Sequence, residues 1–443
     1  MIKYFTVENY KSIKDECILE FDAHLGKDSP FIASPVVGFA GANASGKTTI
    51  LGAITFVIWF MKSSFFDLKK EDLIPYEKFI SLQAKPTRFH LIFSMPIIFR
   101  DTQKEVDFEY ILVLNQEQVL EEHVNFYPLR HKRKIYIRNL DTIKFGKSIV
   151  KLRSEETRDL RRNSSLISFL SLFRSQDIAV ACVHYNLISN VNERGLNEEF
   201  FDPIARIMEY FSSDAQKGNT LKSVLNLADL GIRDFGFREL FLEEIRNSSP
   251  NTLNSSRQDE FDANEGKKIV ESQRDIVKDV VRYQIGEQMN MTSDPDLSLK
   301  LPVFFHNIDG LKVKLPVDKT WESSGTLKLI SLFERIHLAL SKGIPIIVDE
   351  IELKLHQDLI AYLIGLFQNP EKNPHGAQLI FSFHNSSFME ILEPQQLWFT
   401  EKNDQGQTEI FSAADFKDIK QIHKKNLEKL YRIGRFGAKP RGL

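Results

Sequence analysis

Residues 41–49 read Gly-Ala-Asn-Ala-Ser-Gly-Lys-Thr-Thr, a full match to G-x-x-x-x-G-K-[ST]. Such a loop works only between a buried strand and the helix it opens, so it constrains the fold more than any other feature of the chain. The flanks agree. Val36–Ala40 is an apolar run that predicts a buried strand, and Thr49–Met61 predicts a buried helix. Gly41 and Gly46 let backbone N–H groups approach phosphate oxygens, with Asn43, Ala44, Ser45 and Thr49 completing the cradle. Lys47 can reach β- and γ-phosphates, and Thr48 can ligate Mg²⁺. The helix N-terminus adds partial positive charge. The pattern predicts nucleoside triphosphate binding.

A chain of 443 residues allows two or three domains and ample core. Net charge is −2, so any nucleic-acid contact must come from local patches. Two cysteines, Cys17 and Cys182, exclude a disulfide framework and a cysteine metal cluster, and the chain reads as intracellular. The start, Met1-Ile-Lys-Tyr-Phe-Thr-Val-Glu, is strand-like and not a signal peptide. The apolar stretch Ile50–Met61 is too short to span a bilayer, and no membrane anchor is expected.

Periodicity predicts two short strands, Lys3–Asn9 and Cys17–Phe21, before the loop. Alternating runs at Phe89–Ser94, Glu109–Leu114, Val124–Tyr127 and Lys134–Arg138 predict an antiparallel sheet. From about 153 to 245 the pattern turns helical, as in Leu166–Phe173 and Phe200–Phe211. Residues 247–262 are polar and predict a flexible linker, and Lys267–Met289 is again helical. After Leu301 strands return. Helix Thr326–Leu340, strand Ile344–Val348, helix Leu355–Phe367 and strand Gln378–Ser382 then alternate, as parallel strands with crossover helices do.

Three further elements suit a phosphate site. Ile344–Val348 ends in Asp349 and Glu350, where one carboxylate can hold Mg²⁺ and the next can polarise the attacking water. The bland alternative is a strand ending in two solvated acids. Gln378–Phe383 ends in His384, which can bond the γ-phosphate or the water, although a lone histidine is more often structural. Glu322-Ser323-Ser324-Gly325-Thr326 opens a helix and can form an anion nest. A simple N-cap is the alternative. Two basic stretches stand out. Residues 130–162 hold twelve Lys/Arg against four Asp/Glu, and residues 417–443 hold nine against two. Either could meet nucleic-acid phosphates or an acidic partner, or be a solvated surface.

In this order the elements resemble the ABC-type ATPase head shared by SMC and RecF proteins. More closely, they resemble the AAA-type ATPases of abortive-infection and OLD-like phage-defence systems. The resemblance covers most of the chain. It is carried by Phe5-Thr-Val-Glu-Asn-Tyr-Lys-Ser-Ile-Lys-Asp-Glu16, the Walker A loop and Asn226-Leu-Ala-Asp-Leu-Gly-Ile232. It continues through the signature-like Glu322–Thr326, the Walker B and D-loop Asp349-Glu-Ile-Glu-Leu-Lys-Leu-His356, the switch histidine His384 and the ending Tyr431–Pro440. It implies an α/β ABC-type P-loop head with an antiparallel β subdomain. Residues 1–152 and 301–443 would form the head, and 153–300 a helical insertion containing the linker 247–262.

The resemblance also implies ATP and Mg²⁺ as cofactors. It implies a homodimer or higher homo-oligomer with ATP at the interface, where Ser323, Ser324 and Gly325 of one subunit face Lys47, Thr48, Asp349, Glu350 and His384 of another. Phage defence follows from the same resemblance, with the ATPase controlling a separate effector such as a Toprim-type nuclease and a DNA or phage protein as trigger. The PARIS ATPase component is one relative it points to. Gln83 is the candidate Q-loop metal ligand, with a surface glutamine as the alternative, and His356 stands in the D-loop or caps the next helix. The signature lacks Leu-Ser-Gly-Gly-Gln, which disfavours a transporter. Only 443 − 384 = 59 residues follow His384, too few for a Toprim domain. A RecF-type DNA-repair ATPase is the alternative function. An autonomous nuclease is disfavoured by the missing metal-ligand spacing.

Overall fold

The computed structural model describes the chain except residues 24, 27, 100–101, 129–130, 147–158, 174–177, 199–203, 229–230, 242–297, 309–310, 318–321, 353, 417–426 and 438–443. The described chain forms two compact units.

The first unit comprises Met1–Glu199, Ile336–Leu353 and Ile360–Leu443. Its six-stranded sheet runs in the order β16-β15-β3-β14-β13-β9. These strands are β3 (Val36–Ala40), β9 (Ile188–Ser189), β13 (Pro345–Val348), β14 (Gln378–Phe383), β15 (Leu397–Lys402) and β16 (Thr408–Ser412). All neighbouring pairs are parallel except β15 with β16. Every residue of β3, β13 and β14 is buried, as continuous apolar strands covered on both faces require. Ala40 pairs with Phe383, and Val348 with Phe381. That register brings the residues following all three strands to one edge of the sheet.

The antiparallel sheet runs β2-β1-β4-β5-β6-β7-β8. Its strands are β1 (Ile2–Glu8), β2 (Cys17–Glu20), β4 (Thr87–Phe99), β5 (Thr102–Leu114), β6 (Val119–Tyr127), β7 (Arg133–Asn139) and β8 (Thr142–Phe145). Helix α1 (Lys47–Asp67) shares one core cluster with both sheets, joining Phe39, Ile347 and Ile380 of the parallel sheet to Phe89, Phe93 and Phe108 of the antiparallel one. A helix covered on both sides must be apolar all round. At 21 residues, α1 is also long and apolar enough to cross a membrane, but 67% of its apolar window is buried inside the protein.

Residues 159–170 belong to this unit, although the helical insertion was expected to begin at 153. The cause is a buried ion pair. The Glu122 carboxylate accepts from Tyr110 Oη at 2.9 Å, Ser165 Oγ at 2.5 Å and the N–H of Leu166 at 2.9 Å, the first residue of α2 (Leu166–Leu170). Arg138 Nη1 lies 3.6 Å from Glu122 and donates to the Ser164 carbonyl at 2.7 Å. Neither side chain is more than 2% exposed, so removing either would leave a buried charge alone. Arg138 and Arg161 are thus tied inward, Lys132 bonds Glu109 and Arg162 pairs with Asp141. Among the described residues of the first basic stretch, Arg138 and Arg161 are therefore structural.

The second unit comprises Phe200–Arg335 and Lys354–Leu359. It contains α3 (Ile204–Ser212), α4 (Ala215–Leu227) and an antiparallel sheet β10-β11-β12, with β10 at Ile232–Phe241, β11 at Ser298–Ile308 and β12 at Leu311–Pro316. Phe211 stacks on Phe333 at 5.7 Å, and Arg206 pairs with Glu334 at 3.2 Å. The expectation of helix up to 245 therefore fails at β10, which pairs with β11 along its length. The unit also extends past 300, because β11 and β12 are needed to complete its sheet. The linker 247–262 and the helix 267–289 lie outside the described residues. Helices α5 (Ser324–Lys342) and α6 (Gln357–Gln368) are divided between the two units, and α7 (Leu427–Arg432) belongs to the first.

Candidate nucleotide site

The loop after β3 has the backbone its glycines allow. Gly46 caps α1 at φ 118° with no side-chain cap, a conformation that L side chains rarely adopt. A Cβ on Gly41 would lie 2.3 Å from the Thr400 carbonyl oxygen, so only glycine fits. Two threonines of the β15–β16 hairpin brace the loop. Thr400 Oγ1 lies 2.5 Å from Ser45 Oγ, and Thr408 Oγ1 donates to the Ser45 carbonyl at 3.0 Å. Ser12 joins Thr408 Oγ1 at 2.8 Å and Thr49 Oγ1 at 3.3 Å. Asn43 and Ala44 are exposed at the loop's tip.

Lys47 is buried, and its Nζ donates to the carbonyls of Gly41 at 2.8 Å and Ala42 at 2.9 Å. Burial pulls its ammonium below the usual lysine range, while Asp349, Glu352 and Glu350 pull it back up. Thr48 Oγ1 donates to Asp349 Oδ2 at 2.7 Å. Ser382 Oγ donates to Asp349 Oδ1 and accepts the Glu350 N–H at 2.8 Å. Glu350 adopts φ 53°, and its Oε1 lies 3.6 Å from His384 Nε2. Thus Lys47, Thr48, Asp349, Glu350 and His384, named from three separated stretches of sequence, stand on one sheet edge.

Sequence reasoning missed the groups that hold this edge. Asn190 Oδ1 accepts the Asp349 N–H at 2.7 Å, and its Nδ2 donates to the Asp349 carbonyl at 3.2 Å. Asn197 Nδ2 lies 3.4 Å from Asp349 Oδ2. Both asparagines come from the segment around β9, about 150 residues before Asp349, and no local pattern marks them. Ser382 did leave a signal: a lone hydroxyl in a buried apolar strand needs a partner.

Among the described residues, Gln83 makes no hydrogen bond to Thr48 or Asp349. It is exposed on a turn, and its Nε2 donates to the Phe79 carbonyl at 3.2 Å. That is the surface alternative. In the second unit, Ser323 Oγ accepts the Thr326 N–H at 3.0 Å and meets Thr326 Oγ1 at 2.9 Å, so it caps α5. Gly325 is required there, because a Cβ would lie 2.7 Å from the Lys354 carbonyl oxygen. Ser324 is the first residue of α5. His356 Nδ1 accepts the Asp358 N–H at 3.3 Å at the start of α6, the capping alternative.

The residues at the first unit's edge suit a magnesium nucleotide. Glycine leaves space where side chains would clash. The Thr48 hydroxyl and Asp349 carboxylate form a paired oxygen donor set of the kind a hard cation takes together with phosphate oxygens.

A family model described as "AAA domain, putative AbiEii toxin, Type IV TA system" matches residues 36–390. Among solved structures, the chain is similar to the SMC head domain from Thermotoga maritima, at 13% identity over 93% of this chain and 98% of that one, with a TM-score of 0.38. None of the curated proteins matches.

Proposed function

The chain belongs to the AAA-domain family that this model describes, and on that premise we propose that it binds and hydrolyses ATP at the edge formed by β3, β13 and β14. The observation that carries the reading is the 2.7 Å bond from Thr48 Oγ1 to Asp349 Oδ2, which joins Walker A and Walker B across 301 residues. Backbone N–H groups around Gly46 and the α1 N-terminus hold phosphate oxygens, and Lys47 adds the charge. Bound Mg²⁺, held by Thr48 and Asp349, would neutralise charge on β- and γ-oxygens. Glu350 takes the proton of the attacking water, and His384 orients it.

The larger role follows the same proposal. Two subunits share each ATP, with Ser323, Ser324 and Gly325 of one completing the site of the other. Closure with ATP and opening after hydrolysis control a separate effector in antiviral defence, in the cytoplasm. Glu350→Gln tests the core of the reading. It keeps shape and removes the base, so turnover should fall by roughly 10²-fold or more while ATP stays bound. Near-normal turnover would overturn it. Purifying this variant with ATP, from cells expressing the neighbouring genes, tests the role. A defined co-purifying protein supports effector control, and bound duplex DNA without a protein partner favours a repair ATPase instead.

A further inference from the structure

We infer that Glu352 is a positioning residue for the hydrolytic step, holding the backbone of His384 so that its imidazole stays beside Glu350. The inference rests on the roles proposed above for Glu350 and His384. Ile351, between the two glutamates, is fully buried, and its N–H donates to the Ser382 carbonyl at 3.2 Å. The turn is therefore pinned at its centre. Its two flanking carboxylates then converge on one residue. Glu350 Oε1 lies 3.6 Å from the His384 ring, and Glu352 Oε1 accepts the His384 backbone N–H. An amide donating to a carboxylate makes a stronger bond than one donating to a neutral acceptor. The next residue is held separately, since Asn385 Oδ1 accepts the Ser387 N–H at 3.1 Å and caps the turn Ser386–Glu390.

The arrangement has a cost that points the same way. Glu352 Oε2 is buried and makes no hydrogen bond. A buried carboxylate oxygen without a partner is unfavourable, and an apolar side chain would avoid it. The carboxylate is useful because its other oxygen fixes the switch histidine. Glu350 meanwhile sits in the left-handed region, where a glutamate needs its surroundings to hold it. The Glu352 bond fixes the His384 backbone at the end of β14, with the Glu350 carboxylate 3.6 Å from its ring.

Three measurements test this. In nucleotide-free protein, Glu352→Ala should speed hydrogen exchange at the His384 amide by about tenfold, while Glu352→Gln, which keeps a neutral and weaker acceptor, should speed it by about threefold at most. In turnover, Glu352→Ala should lower kcat by about tenfold or more with ATP affinity within about threefold of wild type, and Glu352→Gln should restore most of it. Glu352→Ala combined with His384→Ala should be no slower than His384→Ala alone. Unchanged exchange in Glu352→Ala would overturn the inference. So would a Glu352→Gln enzyme as slow as Glu352→Ala, which would make the charge and not the bond the active feature. If the wild type fails to hydrolyse ATP, the ATPase reading falls, and the exchange experiment still decides the bond.

Discussion

Two helix starts in this protein are spelled alike and built differently. One is Ser45-Gly46-Lys47-Thr48 at α1, and the other is Ser323-Ser324-Gly325-Thr326 at α5. At α1 the capping glycine has φ 118° and offers no side-chain acceptor to the first-turn N–H groups. At α5 the Ser323 hydroxyl turns back onto the Thr326 N–H. Gly325 there serves close packing, with the Lys354 carbonyl against its Cα, rather than a left-handed turn. A glycine and small hydroxyl residues are thus compatible with an open anion nest or with a self-satisfied cap. Backbone conformation decides between them. The first start is left uncapped by its own backbone, as a phosphate site requires. The second becomes one only if a neighbouring subunit's phosphate competes with the cap.

The largest expected effect lies at the first start. Lys47→Ala removes the buried ammonium that folds over Gly41 and Ala42. ATP affinity should fall by roughly 10- to 100-fold, the scale of a charged hydrogen bond, and hydrolysis should be abolished. Isothermal calorimetry with unchanged affinity would remove α1 from the comparison.

Ser324→Glu addresses the second start. It sets a negative charge on the nest, so ATP binding to a single subunit should stay near wild type while turnover is lost. Mixed with Lys47→Ala, it should regain roughly a quarter of wild-type activity in a two-fold dimer, because half the dimers are mixed and each holds one composite site. The productive site joins the loop of the Ser324→Glu subunit to the nest of the Lys47→Ala subunit. No recovery, with mixed assemblies confirmed by native mass, would mean that the site is not shared or that both must fire together.

The same contrast explains what the sequence made legible. Walker A was readable because strand, loop and helix are contiguous and the glycines report local backbone needs. β3 is legible to the residue, and β13 and β14 to within a residue, because buried parallel strands are mostly apolar runs. The grouping of Asp349, Glu350 and His384 was inferred from strand ends. Asn190 was not readable, because its bonds to Asp349 cross 159 residues from a two-residue strand. β10 was missed because Ile-Arg-Asp-Phe-Gly-Phe alternates only weakly, and its partner β11 lies far along the chain. The boundary expected at 153 falls inside the first unit, where the Glu122–Arg138 pair that holds 159–170 is long-range and leaves no local pattern. Gln83 is a candidate by residue type alone, which carries no information about the turn that faces it toward Phe79.

Gly46→Ala should act more mildly than either charge change. The added methyl meets Thr408 Oγ1 at 2.4 Å and Cγ2 at 2.5 Å, a clash that no rotamer of a β-branched side chain clears, and alanine at φ 118° cannot be relaxed without moving the loop. Strain of this kind is about 1–3 kcal/mol, so ATP affinity should drop by about tenfold. Gly325→Ala meets a backbone carbonyl at a permitted φ and should instead disturb α5 packing without changing ATP affinity in a single subunit. Equal effects of the two alanines on affinity would erase the distinction between the starts.

The smallest effect is the sharpest test of the second start. Ser323→Ala removes the cap on the Thr326 N–H, and capping serines contribute about 1 kcal/mol to their helix. Exchange at the Thr326 amide should therefore quicken by about fivefold, the ratio that 1 kcal/mol gives. If Ser323 serves only its own helix, turnover of this variant stays near wild type. If its hydroxyl is handed to a γ-phosphate on closure, turnover falls further than the lost cap accounts for. ATP added to Glu350→Gln would then raise protection at Thr326 in the presence of Ser323, because a phosphate oxygen replaces the hydroxyl as acceptor. Protection that ignores ATP would leave α5 as a capped helix and α1 as the phosphate-binding start.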